Sequence, residues 1–286
     1  MKNKKKHIYS AIPLIFIVTA VISLSGLDLH QPMASAESEI YYGKTTSSVT
    51  TTEIISYNSY TEDTYHDNFF FSDYHNTNTS LINVCAPEAG ADILGFYDRY
   101  CTSLISNWVS GHTVGSNYIY YSQTNSNVQY IQPCIDSLYA SMGTNSIENG
   151  TSRTQYQTGL QSYVQNAGYT ISFTSAMSGS IPNISTLSTQ LQANKVITLY
   201  MSGYTYTAIG NLGSTQVTYT HSTYSGNHMV VVYGYRIIRY YNASNVNFRT
   251  DSFLVVTGGA NKLTNHYILI DTSKTSFINA DVTYIY

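Results

Sequence analysis

The hydrophobic positions follow a helical period in the first part of the chain and a strand-like one later. From residue 86 to 105, Ala86, Ala89, Ile93, Leu94, Tyr97, Cys101, Leu104 and Ile105 recur at three- and four-residue spacing, which predicts a helix. Pro87 falls in its first turn, where a missing N–H costs nothing. Ile131, Ile135, Leu138 and Met142 predict a second helix over 127–142. Arg153 to Ala167 predicts a third, with Leu160 and Tyr163 inward and Gly168 as its stop signal. Leu187 to Ala193 predicts a short fourth. The period then changes: Val196–Tyr200, His228–Tyr233, Ser252–Thr257 and Tyr267–Ile270 read as strands. The run His228-Met229-Val230-Val231-Val232-Tyr233 has almost no polar face, so it predicts a central strand buried on both sides. Earlier, Phe69–Phe71 reads as a short strand and 76–83 as a polar loop. Helices first and strands afterwards predict an α+β fold rather than an alternating one.

Two N-terminal segments stand apart from this pattern. Lys2, Lys4, Lys5 and Lys6 precede an apolar run from Ala11 to Leu24, and Ala34-Ser35-Ala36 offers a small-residue cleavage site. Residues 1–36 are therefore expected to be a signal peptide, with Glu37 as the mature start. The apolar run is short for a spanning helix of ~20 residues. The expectation is a secreted, extracellular or cell-surface protein with no stable membrane anchor after cleavage; such Lys-rich leaders suit a bacterial exporter. Residues 37–66 are polar, β-prone and without helical period, and are expected to form a leader segment, as an edge strand, a flexible arm or a short pro-segment, ahead of one domain over 67–286.

Composition narrows the partner. Of 286 residues only 10% are charged, with 13 Lys+Arg against 16 Asp+Glu, and Tyr supplies 29 positions. Disorder needs low hydrophobicity and high charge, so it is excluded for most of the length. The basic residues beyond the signal are scattered, which excludes a nucleic-acid footprint. The tyrosines could make a sticky binding face or serve a β-rich fold. HExxH, CxxC and GxxxxGKS are all absent, so neither metal nor other cofactor is expected.

Three cysteines remain, Cys85, Cys101 and Cys134, so at most one disulfide forms and one thiol is left. Cys101 and Cys134 could pair, although Cys101 lies on the inward helical stripe. Cys85 sits where the polar loop meets the first helix. There the helix dipole and free N–H groups favour a thiolate and could hold an oxyanion. Glu88, one turn on, opposes this. His228, opening the buried strand after Ser225-Gly226-Asn227, could project toward that helix as a base. His221 and His112 lie in Ser/Gly/Thr-rich stretches and are expected in solvent, and His266 at a surface ahead of a strand.

Here the residues resemble a known family. NVCAPEAGADILGFYDRY at 83–100 is similar to the nucleophile helix of papain-like cysteine peptidases, in the branch related to the double-glycine leader peptidases. Gly226-Asn227-His228-Met229-Val230-Val231-Val232-Tyr233-Gly234-Tyr235 is similar to that family's base strand, and GLQSYVQNAGY at 159–169 matches in order. The likeness covers about residues 66–286. It implies a papain-like α+β fold, a helical half packed on an antiparallel sheet half. It also implies a cysteine peptidase acting on an extracellular peptide or protein, with Cys85 as nucleophile, His228 as base and an acyl-thioester intermediate. The family's third residue, an Asn or Asp after the following strand, is Thr257 here, with Asn261 or Asp271 as substitutes. The family's oxyanion Gln is missing; Asn78 is nearest in spacing among Asn76, Asn78 and Asn83, and Asn83 could instead cap the helix. These departures leave open an inactive binding or toxin-like module, and an amidase or transpeptidase would keep the same pair.

Overall fold

The computed structural model describes residues 39–43, 48–66, 71–213, 215–258 and 266–286. The expected signal peptide, Phe69, Phe70 and Asn261 lie outside the described residues. In chain order the elements are β1 (Tyr41–Tyr42), β2 (Ser48–Ser56), β3 (Ser59–Tyr65), α1 (Cys85–Tyr97), β4 (Gly111–Val114), β5 (Asn117–Tyr120), α2 (Val128–Ser141), β6 (Thr151–Ser152) and α3 (Arg153–Asn166). They continue with β7 (Ile171–Ser175), β8 (Met177–Ser178), β9 (Ile181–Pro182), α4 (Ile184–Gln192), β10 (Val196–Ile209), β11 (Gln216–Tyr241), β12 (Asn247–Val256), β13 (His266–Leu269) and β14 (Phe277–Ile285).

An eight-stranded antiparallel sheet dominates. Its order is β2-β11-β12-β13-β10-β14-β7, with β3 also paired to β11. Because β11 additionally pairs with β10, strands β10, β11, β12 and β13 close on themselves. Strands take 43% of the described residues and helices 22%. This corrects the expected fold class: the protein is mostly sheet, and among the described residues no papain-like helical half is evident. The physical reason is that the sheet is longer than its apolar runs. β11 extends the His228–Tyr233 run in both directions, backward through Ser, Thr and Tyr that alternate between a buried and a less buried face, and forward through Tyr, Arg and Ile. The predicted strand at 196–200 likewise runs on to Ile209.

The helices sit on the sheet rather than beside it. Side chains of α1, α2 and α3 form one core with Tyr200, Met229, Val231, Tyr233 and Val255. Leu187 and Leu191 of α4 pack on the other face, with Leu199, Met201, Val230, Val232 and Leu254. Alternate residues of the valine run thus feed opposite cores, and each buried Val or Leu contributes ~1.5–3 kcal/mol. All of α1 is buried. Gly95 lets it lie close to the preceding strap, since a Cβ there would meet the Tyr74 ring at 2.6 Å. The helix ends at Tyr97 instead of running to 105, and Cys101, Leu104 and Ile105 are buried in the turns that follow.

The residues expected to form a separate leader are built into the sheet. β1 pairs with β6, β2 lies along Gln216–Tyr224, and β3 lies along Tyr235–Tyr241. Glu53 of β2 meets Arg249 at 2.6 Å, and Glu62 of β3 pairs with Arg236. His221 is not in solvent. It is buried between the Thr207 hydroxyl, 3.0 Å from Nδ1, and Glu53, 3.2 Å from Nε2.

Candidate active site

The start of α1, like that of α2, has no side-chain cap. α3 opens on a full capping box from Ser152 and Gln155, and α4 on an Asn183 cap. At α1 the N-cap position is Val84, which has no side chain to offer. The preceding Asn83 adopts φ +60° and donates from Nδ2 to Asn145 Oδ1 at 2.7 Å, so it does not cap the helix. The N–H groups of Cys85 and Ala86 therefore face the Cys85 sulfur, and the Met229 N–H reaches it from β11. These three favour a thiolate. Burial opposes them and prevails, with Glu88 adding to it, and the thiol is pushed up to about 12.

His228 reaches the same place from the sheet. Gly226, at φ +109°, turns the strand just before it. Asn227 is then fixed from both sides: its Nδ2 donates to Tyr41 O at 2.8 Å, and its O accepts from Gly43 N–H at 3.2 Å. The His228 ring stacks on Tyr204 with centroids 4.6 Å apart and planes at 18°. Its Nε2 lies 3.3 Å from Tyr206 Oη, while the buried Nδ1 has no partner. Burial, and then His266, push its pKa down to about 4, so the ring is neutral near pH 7.

Cys85 and His228 line one pocket of 550 Å³, together with Gly43, Leu81, Ile82, Asn83, Val84, Glu88 and Asn149. Met229, whose amide faces the sulfur, is the next residue after His228. No hydrogen bond joins the sulfur and the ring, so the resting pair is a neutral thiol beside a neutral imidazole. No family model matches the chain, and no curated protein or solved structure matches it either. The site therefore stands on its own geometry.

The other residues singled out in the sequence lie elsewhere. Thr257 is buried, but its hydroxyl accepts from Val231 N–H at 3.2 Å and bonds Asp92 of α1, so it is not the partner of the His228 ring. Asp271 caps its own turn by accepting from Ser273 N–H at 2.8 Å. Asn78 accepts from the Ser80 N–H and hydroxyl and does not line the pocket. Asn76 holds Asn78 and accepts from Gln132. Of the three amides considered, only Asn83 borders the pocket. Cys101 and Cys134 are free and buried rather than paired. His112 is exposed against Tyr121, and His266 is half-buried against Tyr206. Among the described residues no group of three His, Cys, Asp or Glu is placed to hold a metal.

Three features of the site, Asn149 and Gly43 in the pocket and Tyr206 behind His228, had no sequence signal. Asn149 comes from the turn after α2 and Gly43 from the end of β1. Tyr206 reaches His228 because the register of β10 against β11 shifts between Ser202 and Tyr204, where Gly203, φ +73°, stands opposite both Ser225 and Gly226. Past this irregularity Tyr204 and Tyr206 lie on the face shared with Leu199 and Met201. Glu88 was visible as an opposing charge, but its setting was not. It is 7% exposed, accepts from Asn76 N–H at 2.7 Å, and is pushed up to about 8 by burial, with Asp73 adding to it.

Proposed function

We propose that the protein is a secreted cysteine peptidase that hydrolyses peptide bonds through Cys85 and His228. The observation that carries this reading is that the two residues, far apart in the chain, line one pocket at an uncapped helix start. Because both are neutral at rest, the mechanism is general-base attack rather than attack by a preformed thiolate. Sγ adds to the amide carbonyl carbon as its proton moves to His228 Nδ1. The oxyanion is held by backbone N–H groups of the kind that face the sulfur. On collapse the C–N bond breaks, the Nδ1 proton passes to the leaving amine, and the acyl group stays on sulfur as a thioester. Water then attacks that thioester, gives a proton to Nδ1, and releases the acid; the sulfur recovers its proton. The aliphatic wall of Leu81, Ile82 and Val84 suits an apolar side chain of the substrate.

A mixed peptide library incubated with the protein and read by mass spectrometry tests this. Cleavage is expected with the wild-type chain and is expected to fall by at least ~10³-fold in both Cys85→Ala and His228→Ala. Cleavage that survives either substitution contradicts the reading. A second reading is a binding module without turnover. It is favoured by the neutral pair that no hydrogen bond joins, and it predicts no cleavage by the wild-type chain while peptides still bind.

A further inference from the structure

The ring of His228 is held by an aromatic enclosure that the sequence motifs did not include. Tyr204 stacks beneath it, Tyr224 stacks on Tyr204 with centroids 5.2 Å apart, and Tyr206 packs between Tyr224 and His266. Within this enclosure one polar atom touches the imidazole: Tyr206 Oη, 3.3 Å from Nε2. Of the three positions expected to orient the ring, Thr257 and Asp271 do not, since Thr257 is bonded to Val231 and Asp92, and Asp271 to its own turn, while Asn261 lies outside the described residues.

Resting on the peptidase reading, we infer that Tyr206 is the positioning residue of His228, accepting a hydrogen bond from Nε2–H so that the unpartnered Nδ1 is left as the proton acceptor. A neutral imidazole carries its proton on one nitrogen, and whatever bonds the other face selects which. With the proton fixed on Nε2, the Nδ1 lone pair is free to take the thiol proton. The resulting imidazolium keeps its Nε2–H on the phenol oxygen. The stack on Tyr204 fixes the ring plane, and the phenol fixes its rotation within that plane. Burial raises the Tyr206 phenol well above its ordinary pKa, with Tyr204, Asp73, Tyr224 and Cys85 adding to it, so the residue stays a neutral phenol. The register shift where Gly203 meets Ser225 and Gly226 is what brings this hydroxyl to the imidazole, which gives that irregularity a purpose.

The test is the tautomer of His228, read from the ¹⁵N shifts and ¹⁵N–¹H couplings of its ring at pH 7 in the full chain. The wild type is expected to show the Nε2–H form, and Tyr206→Phe a mixture of both tautomers. In the same variant kcat is expected to fall about tenfold with KM unchanged, short of the ~10²–10⁴ that general acid–base catalysis contributes. An Nδ1–H ring in the wild type overturns the proposal without any variant. A Tyr206→Phe chain with unaltered tautomer and kcat overturns it as well. The tautomer readout needs no turnover, so it strikes Tyr206 alone, whereas cleavage that survives Cys85→Ala strikes the peptidase reading alone.

Discussion

Glu88 shows how burial decides chemistry at single residues. Its carboxyl lies one turn from Cys85, inside the pocket, with a pKa of about 8 against an ordinary 4.5. Below pH 4.5 folded and unfolded chains both carry the proton. Between 4.5 and 8 the unfolded chain gives it up and the folded chain keeps it, so Glu88 erodes stability as pH rises through that window. Glu88→Gln keeps an acceptor for Asn76 N–H and removes the titration. Relative to its value at pH 5, the urea midpoint at pH 8 is expected to be higher in the variant than in the wild type; parallel profiles would refute the assignment. His228 works in the opposite sense. Its folded pKa of about 4 lies below the ordinary 6.5, so it costs stability as pH falls from 6.5 toward 4. Cys85 and His228 were legible in the sequence because a helix start and an apolar strand each leave a periodic trace. Tyr206 was not legible, since its face depends on a register shift at Gly203 that changes the alternation without changing composition.

Among the elements, the contact between α1 and β11 decides whether thiol and imidazole share a pocket. Thr257 ties the two together. Its hydroxyl takes the Val231 N–H of β11 and bonds Asp92 of α1, while its own N–H donates to Val231 O at 2.9 Å. Thr257→Val leaves Val231 N–H buried without a partner and strips a bond from Asp92. A loss of roughly 1–3 kcal/mol is expected in chemical denaturation, largely restored in Thr257→Ser. Full stability with lost turnover would return Thr257 to the ring-orienting role. Helices α2, α3 and α4 were readable because each buries one stripe at a three- or four-residue period, and α1, although buried all round, because its larger apolar residues recur at the same spacing. Strands β2, β3 and β14 were not. SVTTTEIIS and SYTEDTY are polar on their exposed faces and become strands only by pairing with β11, far along the chain.

Over the whole molecule, the sheet accounts for the composition. Charge is scarce because the interior relies on tyrosine, whose ring fills a core and whose hydroxyl bonds a distant strand or loop. Tyr97 donates to Thr283 O at 2.7 Å, and Tyr57 donates to Gly213 O at 2.7 Å. The main ion pair across elements, Arg153 to the buried Asp281, ties α3 to β14 by two bonds of 2.7 and 2.8 Å. The expected helical half failed for a related reason. The helical and strand-like stretches suggested two halves, but the strands are extended by Ser, Thr and Tyr until the helices become a layer on one large sheet. The motif positions kept their sense within that different architecture: the cysteine opens a helix, and the histidine lies in a strand buried on both faces.

The central claim is that Cys85 carries the acyl group of a cleaved peptide. Mixing the protein with a peptide found by library cleavage, quenching in acid within the first turnover and mapping the digest by mass spectrometry tests it most directly. The account predicts the N-terminal part of the substrate attached to the peptide that contains Cys85, with no such mass in the His228→Ala chain. Cleavage that proceeds with an unmodified Cys85, or an acyl mass on Cys101 or Cys134 instead, would contradict it.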